Sequence, residues 1–160
     1  MKKFRLAWVA IASALLIIGG CSMPEKSGSA GTSAMDSKKV WTGHPLNNPN
    51  SLLASRKVYF DFDSSEVRPE FLAMLKEHAA YLNSNLPASV TIEGHCDEKG
   101  SREYNIGLGE RRANAIKNVL EAEGVSSKKI RMVSYGEERP QNPHHNVAAW
   151  AENRRGVLVY

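Results

Sequence analysis

His95, Cys96 and Asp97 stand in a row in TIEGHCDEKG, residues 91–100. A thiol, an imidazole and a carboxylate are the residue types of thiol catalysis and of metal binding. Geometry argues against both. Ser89 to His95 reads as a strand, and successive strand side chains point to opposite faces. Adjacent residues therefore diverge, whereas a thiol–imidazole pair must lie within hydrogen-bond reach. Three consecutive residues cannot converge on one ion without a sharp bend. No CxxC or HxxxH pattern supports a metal site elsewhere, and His144-His145 are neighbours in a polar loop. Cys96 reads instead as a small buried hydrophobe.

Arg112 is the more informative residue. It follows Leu108 by four positions and precedes Ile116 by four, so at about 100° per residue it falls inside the apolar stripe of a helix. A guanidinium placed there must meet a carboxylate or another acceptor. Two readings stand at this point. One is a structural ion pair, Arg112 with Asp97 or with Asp63. The other is a recognition cleft, with Asp97 holding an ammonium and Arg112 clamping a carboxylate by its planar fork. A ligand bearing both groups on one carbon would satisfy the pair.

The elements that must position these residues follow from periodicity. Lys57 to Asp63 alternates, with Val58, Phe60 and Phe62 expected on one buried face. Pro69 suits the first turn of a helix carrying Leu72, Leu75, Ala79 and Leu82. A strand from Ser89 to His95 follows. The longest helix runs from about Ser101 or Glu103 to Glu123, with Leu108, Ala115, Ile116, Val119 and Leu120 along one stripe and Gly124 as its stop. Lys129–Tyr135 and Gly156–Tyr160 read as strands, with a short helix over Val147–Glu152 between them. The expected fold class is α+β, in the order β-α-β-α-β-(α)-β, with helices packed on a mixed four-stranded sheet.

The chain has 160 residues, and its first segment differs from the rest. Lys2, Lys3 and Arg5 precede an apolar run from Leu6 to Ile18, too short to span a bilayer comfortably, then Gly19-Gly20-Cys21. This pattern predicts a signal peptide over residues 1–20. Loss of its three basic residues would take the formal charge from +4 to +1, so the basic balance is no nucleic-acid footprint. Ile18-Gly19-Gly20-Cys21 resembles the bacterial lipobox, which implies a lipid on the Cys21 thiol; Ser22 in second place favours the outer membrane. Several acyl chains give a stable anchor where one is marginal. With Cys21 lipidated, Cys96 has no partner in the chain; a Cys21–Cys96 disulfide is the rival pairing. Residues 21–52 are rich in Ser, Gly, Ala, Pro and Asn and read as a lipidated N-terminus and flexible tether. The folded domain is expected over residues 53–160.

Four stretches resemble the OmpA-like peptidoglycan-binding domain family: VYFDFDSSEVRPE, TIEGHCDEKGSREYNIGLGERRANAIKNVL, IRMVSYGEERP and NRRGVLVY. The resemblance covers roughly residues 57–160. With the lipobox and tether in front, the chain is similar to the peptidoglycan-associated lipoproteins of that family. It implies noncovalent binding of the peptidoglycan stem peptide through meso-diaminopimelate, whose free end carries an amine and a carboxylate on one carbon. By the same resemblance Arg112 takes the carboxylate and Asp97 the ammonium. Asn105 and Leu108 line the cleft, Phe62 and Asp63 form its edge, and Arg154 stands near it. The implied partners are peptidoglycan, the outer membrane, and TolB with other Tol proteins of the Tol–Pal system. No catalysis, nucleic acid or cofactor is expected beyond the lipid on Cys21. The chain departs from the family pattern at Cys96, where Ala or Thr is usual, at Gly156, where Ala is common, and over Gln141–Trp150. Two alternatives from other classes are a periplasmic thiol or metal-dependent enzyme using His95, Cys96 and Asp97, and a purely structural interaction lipoprotein.

Overall fold

The first strand, β1, spans only Lys57–Tyr59, in a computed structural model that describes residues 41–160. The leader, Cys21 and most of the expected tether lie outside the described residues. The alternation that predicted a strand to Asp63 fails after Phe60. Val58 and Phe60 are buried as expected, but Phe62 is 65% exposed. The cause is local. Asp63 adopts a left-handed backbone, φ 53°, which no strand can continue through. The chain turns out of the sheet there, and Phe62 faces solvent at a cleft edge instead of the core.

Pro69 opens a short 3-10 turn that leads into α1, Leu72–Ser84. Leu75, Ala79 and Leu82 are buried along its inner face, together with Met74 and His78. Leu72 lies at the margin, 36% exposed. β2 follows at Val90–His95 and α2 at Arg102–Ala122. The Ser101 hydroxyl caps α2 by accepting from the Tyr104 N–H at 3.2 Å, which satisfies one of the unpaired donors of the first turn. Gly124, at φ +88°, ends it in a conformation that L side chains resist. β3 is Ile130–Gly136, α3 Val147–Asn153 and β4 Arg155–Val159.

The sheet order is β1-β4-β2-β3. β4 runs antiparallel to both β1 and β2, whereas β2 and β3 are parallel. This is the mixed four-stranded sheet the periodicity predicts. The core lies between the sheet and α1 and α2, and includes Val58, Phe60, Leu75, Leu82, Val90, Ile92, Ile116, Leu120 and Leu158. Burial of such side chains is the main favourable term in folding, at about 25 cal/mol per Å² of apolar surface.

One contact seats α2 on β2. A Cβ built on Gly94 would stand 1.9 Å from the Gly109 carbonyl oxygen. Only two glycines let strand and helix main chains approach so closely.

The ordered domain also begins earlier than residue 53. Short 3-10 turns occupy Pro45–Asn47 and Leu52–Ala54, and Leu46 and Leu53 are buried. Arg56 donates to the Leu46 carbonyl at 2.9 Å and to the Asn47 side chain at 3.0 Å. Two isolated leucines have no periodicity to betray them, which is why the composition reads as tether up to Leu52.

Candidate functional site

β2 ends at His95, and its last residues and the following loop fan out. Even-numbered side chains of β2 point toward the helices: Val90 and Ile92 enter the core, and Gly94 meets α2. Cys96 continues this face. It is 2% exposed, and its thiol donates to the Asn105 carbonyl at 3.2 Å. His95 turns to the opposite face and packs on the Tyr135 ring at 5.5 Å. Neither of its ring nitrogens has a hydrogen-bond partner. Burial, with the charges of Arg155 and Arg139 nearby, pushes its pKa down from 6.5 to about 4. Asp97 lies past the strand end and turns into a cleft. The three side chains of HCD therefore occupy three environments: alternation sends Cys96 away from His95, and the end of β2 at His95 frees Asp97 from the face it would otherwise share with that residue. Among the described residues no group of three His, Cys, Asp or Glu could hold a metal ion.

Arg112 is fully buried on the inner face of α2. Its Nε donates to Ser64 O at 2.8 Å, one Nη to His95 O at 2.8 Å and the other to Asp61 O at 3.1 Å. The guanidinium also lies over the Phe60 ring, 5.3 Å from its centre. Burial lowers its pKa from the ordinary guanidinium value, with Cys96 and Asp97 pulling the other way. The group stays charged, because an arginine does not deprotonate in proteins. The structural ion pair with Asp97 or Asp63 does not form; among the described residues Arg112 makes no salt bridge. Three main-chain carbonyls hold the fork, and two of its five N–H donors remain for something else.

The ion pair of Asp97 is with Arg154 instead, at 3.0 Å, both side chains largely buried. Its other oxygen accepts from the Lys99 N–H at 3.0 Å. Arg154 also donates to the Phe60 carbonyl at 3.2 Å. Each carboxylate oxygen keeps a lone pair free.

Phe62, Asp63, Asp97, Leu108, Arg112 and Arg154 line one cavity of about 170 Å³. Six of the seven predicted binding residues thus meet, from four separate stretches of chain. Lys99, Gly100 and Tyr104 complete the wall. Periodicity gave no sign of these three, although Lys99 and Gly100 adjoin Asp97 and Tyr104 sits in the first turn of α2. The Tyr104 hydroxyl donates to the Asp63 carboxylate, which fixes the left-handed turn at the rim. Asn105 does not line the cavity. It is 1% exposed and lies behind Asp97, whose carbonyl accepts from its amide at 3.1 Å. Lys99, Arg112 and Arg154 against Asp63 and Asp97 give this cavity wall both signs of charge, the positive in slight excess.

The OmpA family model matches residues 59–154, and the chain belongs to the OmpA family. Within it, curated relatives from several bacteria carry the name peptidoglycan-associated lipoprotein. The chain is 37% identical over 160 residues, all of both chains, to the peptidoglycan-associated lipoprotein of Pasteurella multocida. It is 50% identical over 103 residues to that of Haemophilus influenzae, covering 64% of this chain and 67% of that protein. Among solved structures, the peptidoglycan-associated lipoprotein of Burkholderia pseudomallei superposes with a TM-score of 0.72 at 47% identity, covering 73% of this chain and 99% of that one. The C-terminal domain of Helicobacter pylori MotB, at 18% identity and a TM-score of 0.60, shares the fold. Among the described residues no helix is long and apolar enough to cross a membrane.

Proposed function

We propose that this chain is an outer-membrane lipoprotein, held by lipid on Cys21, whose folded domain grips peptidoglycan without catalysis and so ties membrane to wall. The observation that carries the proposal is the buried guanidinium of Arg112, pinned by three carbonyls and lacking a carboxylate of its own, in one cavity with the buried carboxylate of Asp97. Holding a cation away from water costs several kcal/mol. A ligand carboxylate that took its two remaining donors would complete the site. The free end of diaminopimelate presents such a carboxylate beside an ammonium, and the ammonium suits the free lone pairs of Asp97. Arg154 holds Asp97 in place, Leu108 gives an apolar wall, and Phe62 and Asp63 form the lip. The names of the full-length relatives support the same reading, and by that kinship TolB and other Tol proteins are the proposed protein partners. The enzyme alternative has no support in the diverging geometry of His95, Cys96 and Asp97.

Cosedimentation with purified peptidoglycan tests the proposal. The main hydrophobic cluster runs from Val58 to Leu158, so the compact unit 40–160 carries its own core and serves as the sample. Arg112→Lys and Asp97→Asn each remove charge-assisted hydrogen bonds and should weaken binding about 10- to 100-fold, while Cys96→Ala should leave it within about threefold. Binding lost in Cys96→Ala but kept in the other two would refute the site. Palmitate labelling of Cys21 in the full chain tests the anchor, and an unlabelled product would exclude it.

A further inference from the structure

Asn105 touches the proposed ligand site from behind, and something in turn holds Asn105. Its side-chain nitrogen carries two hydrogens. One goes to the Asp97 carbonyl at 3.1 Å and the other to the Glu137 carboxylate at 2.5 Å. Its amide oxygen has no partner. The orientation of this buried amide is therefore decided on the nitrogen side alone. Turned over, it would set its oxygen against two other oxygens. Of the two acceptors only Glu137 is a carboxylate, and charge-assisted bonds are roughly twice as strong as neutral ones.

The placement of Glu137 is a product of the fold. It follows Gly136, where β3 ends at φ +51°. A Cβ there would lie 3.0 Å from the Ile106 nitrogen and 3.2 Å from the Asn105 carbonyl carbon, so the strand end is pressed against the first turn of α2. Gly136 also accepts from the Cys96 N–H at 2.7 Å. The main chain is thus tied at Cys96 by β3 and at Asp97 by Asn105. The Asp97 carbonyl is the last tied point of that strand end before the carboxylate enters the cleft.

We infer that Glu137 is a positioning residue for the ammonium-binding half of the cleft. Its carboxylate orients the Asn105 amide, the amide holds the Asp97 main chain, and the Asp97 carboxylate is thereby aimed without Glu137 meeting the ligand. Glu137 lines a different cavity from the one that holds Asp97, Arg112 and Arg154. The inference rests on the proposed reading of that cleft as a site for an amino-carboxylate end group.

A pair of synthetic probes separates the halves of the site. One is the tripeptide L-Ala-γ-D-Glu-meso-diaminopimelate. The other is the same tripeptide with the side-chain amine replaced by hydrogen and the carboxylate kept. Calorimetric titration of the unit 40–160 should show Glu137→Ala binding the first probe about tenfold more weakly than the parent, one lost hydrogen-bond link. The second probe should bind the two proteins equally within about twofold. Glu137→Gln should restore most of the loss, since its amide oxygen accepts the same hydrogen. Equal losses for both probes would make Glu137 merely structural and overturn the inference. So would no loss in Glu137→Ala, or a Gln variant that fails to recover. Failure of the parent protein to bind the tripeptide, or to distinguish it from the amine-free probe, would instead overturn the reading of the cleft.

Discussion

Acid should unfold this domain partly through His95. The ring is 2% exposed, lacks hydrogen-bond partners, and faces Arg155 and Arg139, with the Glu93 carboxylate 3.6 Å from its Nε2. Its pKa falls from 6.5 to about 4 on folding, first through burial and then through the two arginines. The unfolded chain therefore binds more protons than the folded one in the window from 6.5 to about 4. The stability owed to keeping His95 neutral is complete above that window and is lost as the pH falls through it. A shift of this size amounts to about 3 kcal/mol over the whole window, of which about 2 kcal/mol should disappear between pH 7 and pH 5. Few carboxylates titrate in that upper range, which makes it the place to look. His95→Phe keeps a flat ring against Tyr135 and cannot take a proton. Urea unfolding at pH 7, 6 and 5 should show the parent losing about 2 kcal/mol more than the variant. His78, whose pKa burial also lowers, remains in both proteins and cancels in the difference. An equal loss of stability in parent and variant would refute the reasoning and would place the ring in contact with water.

Two further outcomes follow from packing and chemistry. A Cβ on Gly156 would stand 2.3 Å from Ile116 Cδ1, so Gly156→Ala should cost about 1–3 kcal/mol by overpacking; Ile116→Val, which removes that methyl, should recover most of it in the double variant, as thermal unfolding will show. The Cys96 thiol is buried, and burial pushes its pKa up to about 11. In a chain with Cys21→Ser, alkylation at pH 8 should run about a hundredfold slower than for an exposed thiol and reach the ordinary rate only in denaturant; fast alkylation of the folded protein would contradict its burial.

Much of the site was legible because charge and period conflict at one residue. A cation on the apolar stripe of α2 points to Arg112, and periods of 2 and 3.6 locate β2 and α2 around it. The partner of Asp97 was not legible. Asp97 and Arg154 meet across 57 positions of sequence, through the pairing of β4 with β2, and no local pattern encodes that contact. Phe62 was misplaced because alternation says nothing about the left-handed turn one residue later. The early start of the domain was hidden in Leu46 and Leu53, single apolar residues in polar surroundings. At Gly156, where the family resemblance leads one to expect Ala, Ile116 fills the space a side chain would take. Cys96 read correctly as small filler, since the parity of β2 sends it toward α2 and away from its neighbours.

The contact between Gly94 and Gly109 has a consequence for the cleft. Asp97 lies three residues beyond the first glycine and Arg112 three beyond the second. The two arms of the site thus spring from one pivot made of main chain, like the jaws of a caliper. The separation of their roots is gauged by backbone against backbone, before Asn105, Glu137 and Arg154 aim the charged group on one of them. Apolar side chains elsewhere in the core can change while the roots of the two arms keep their separation.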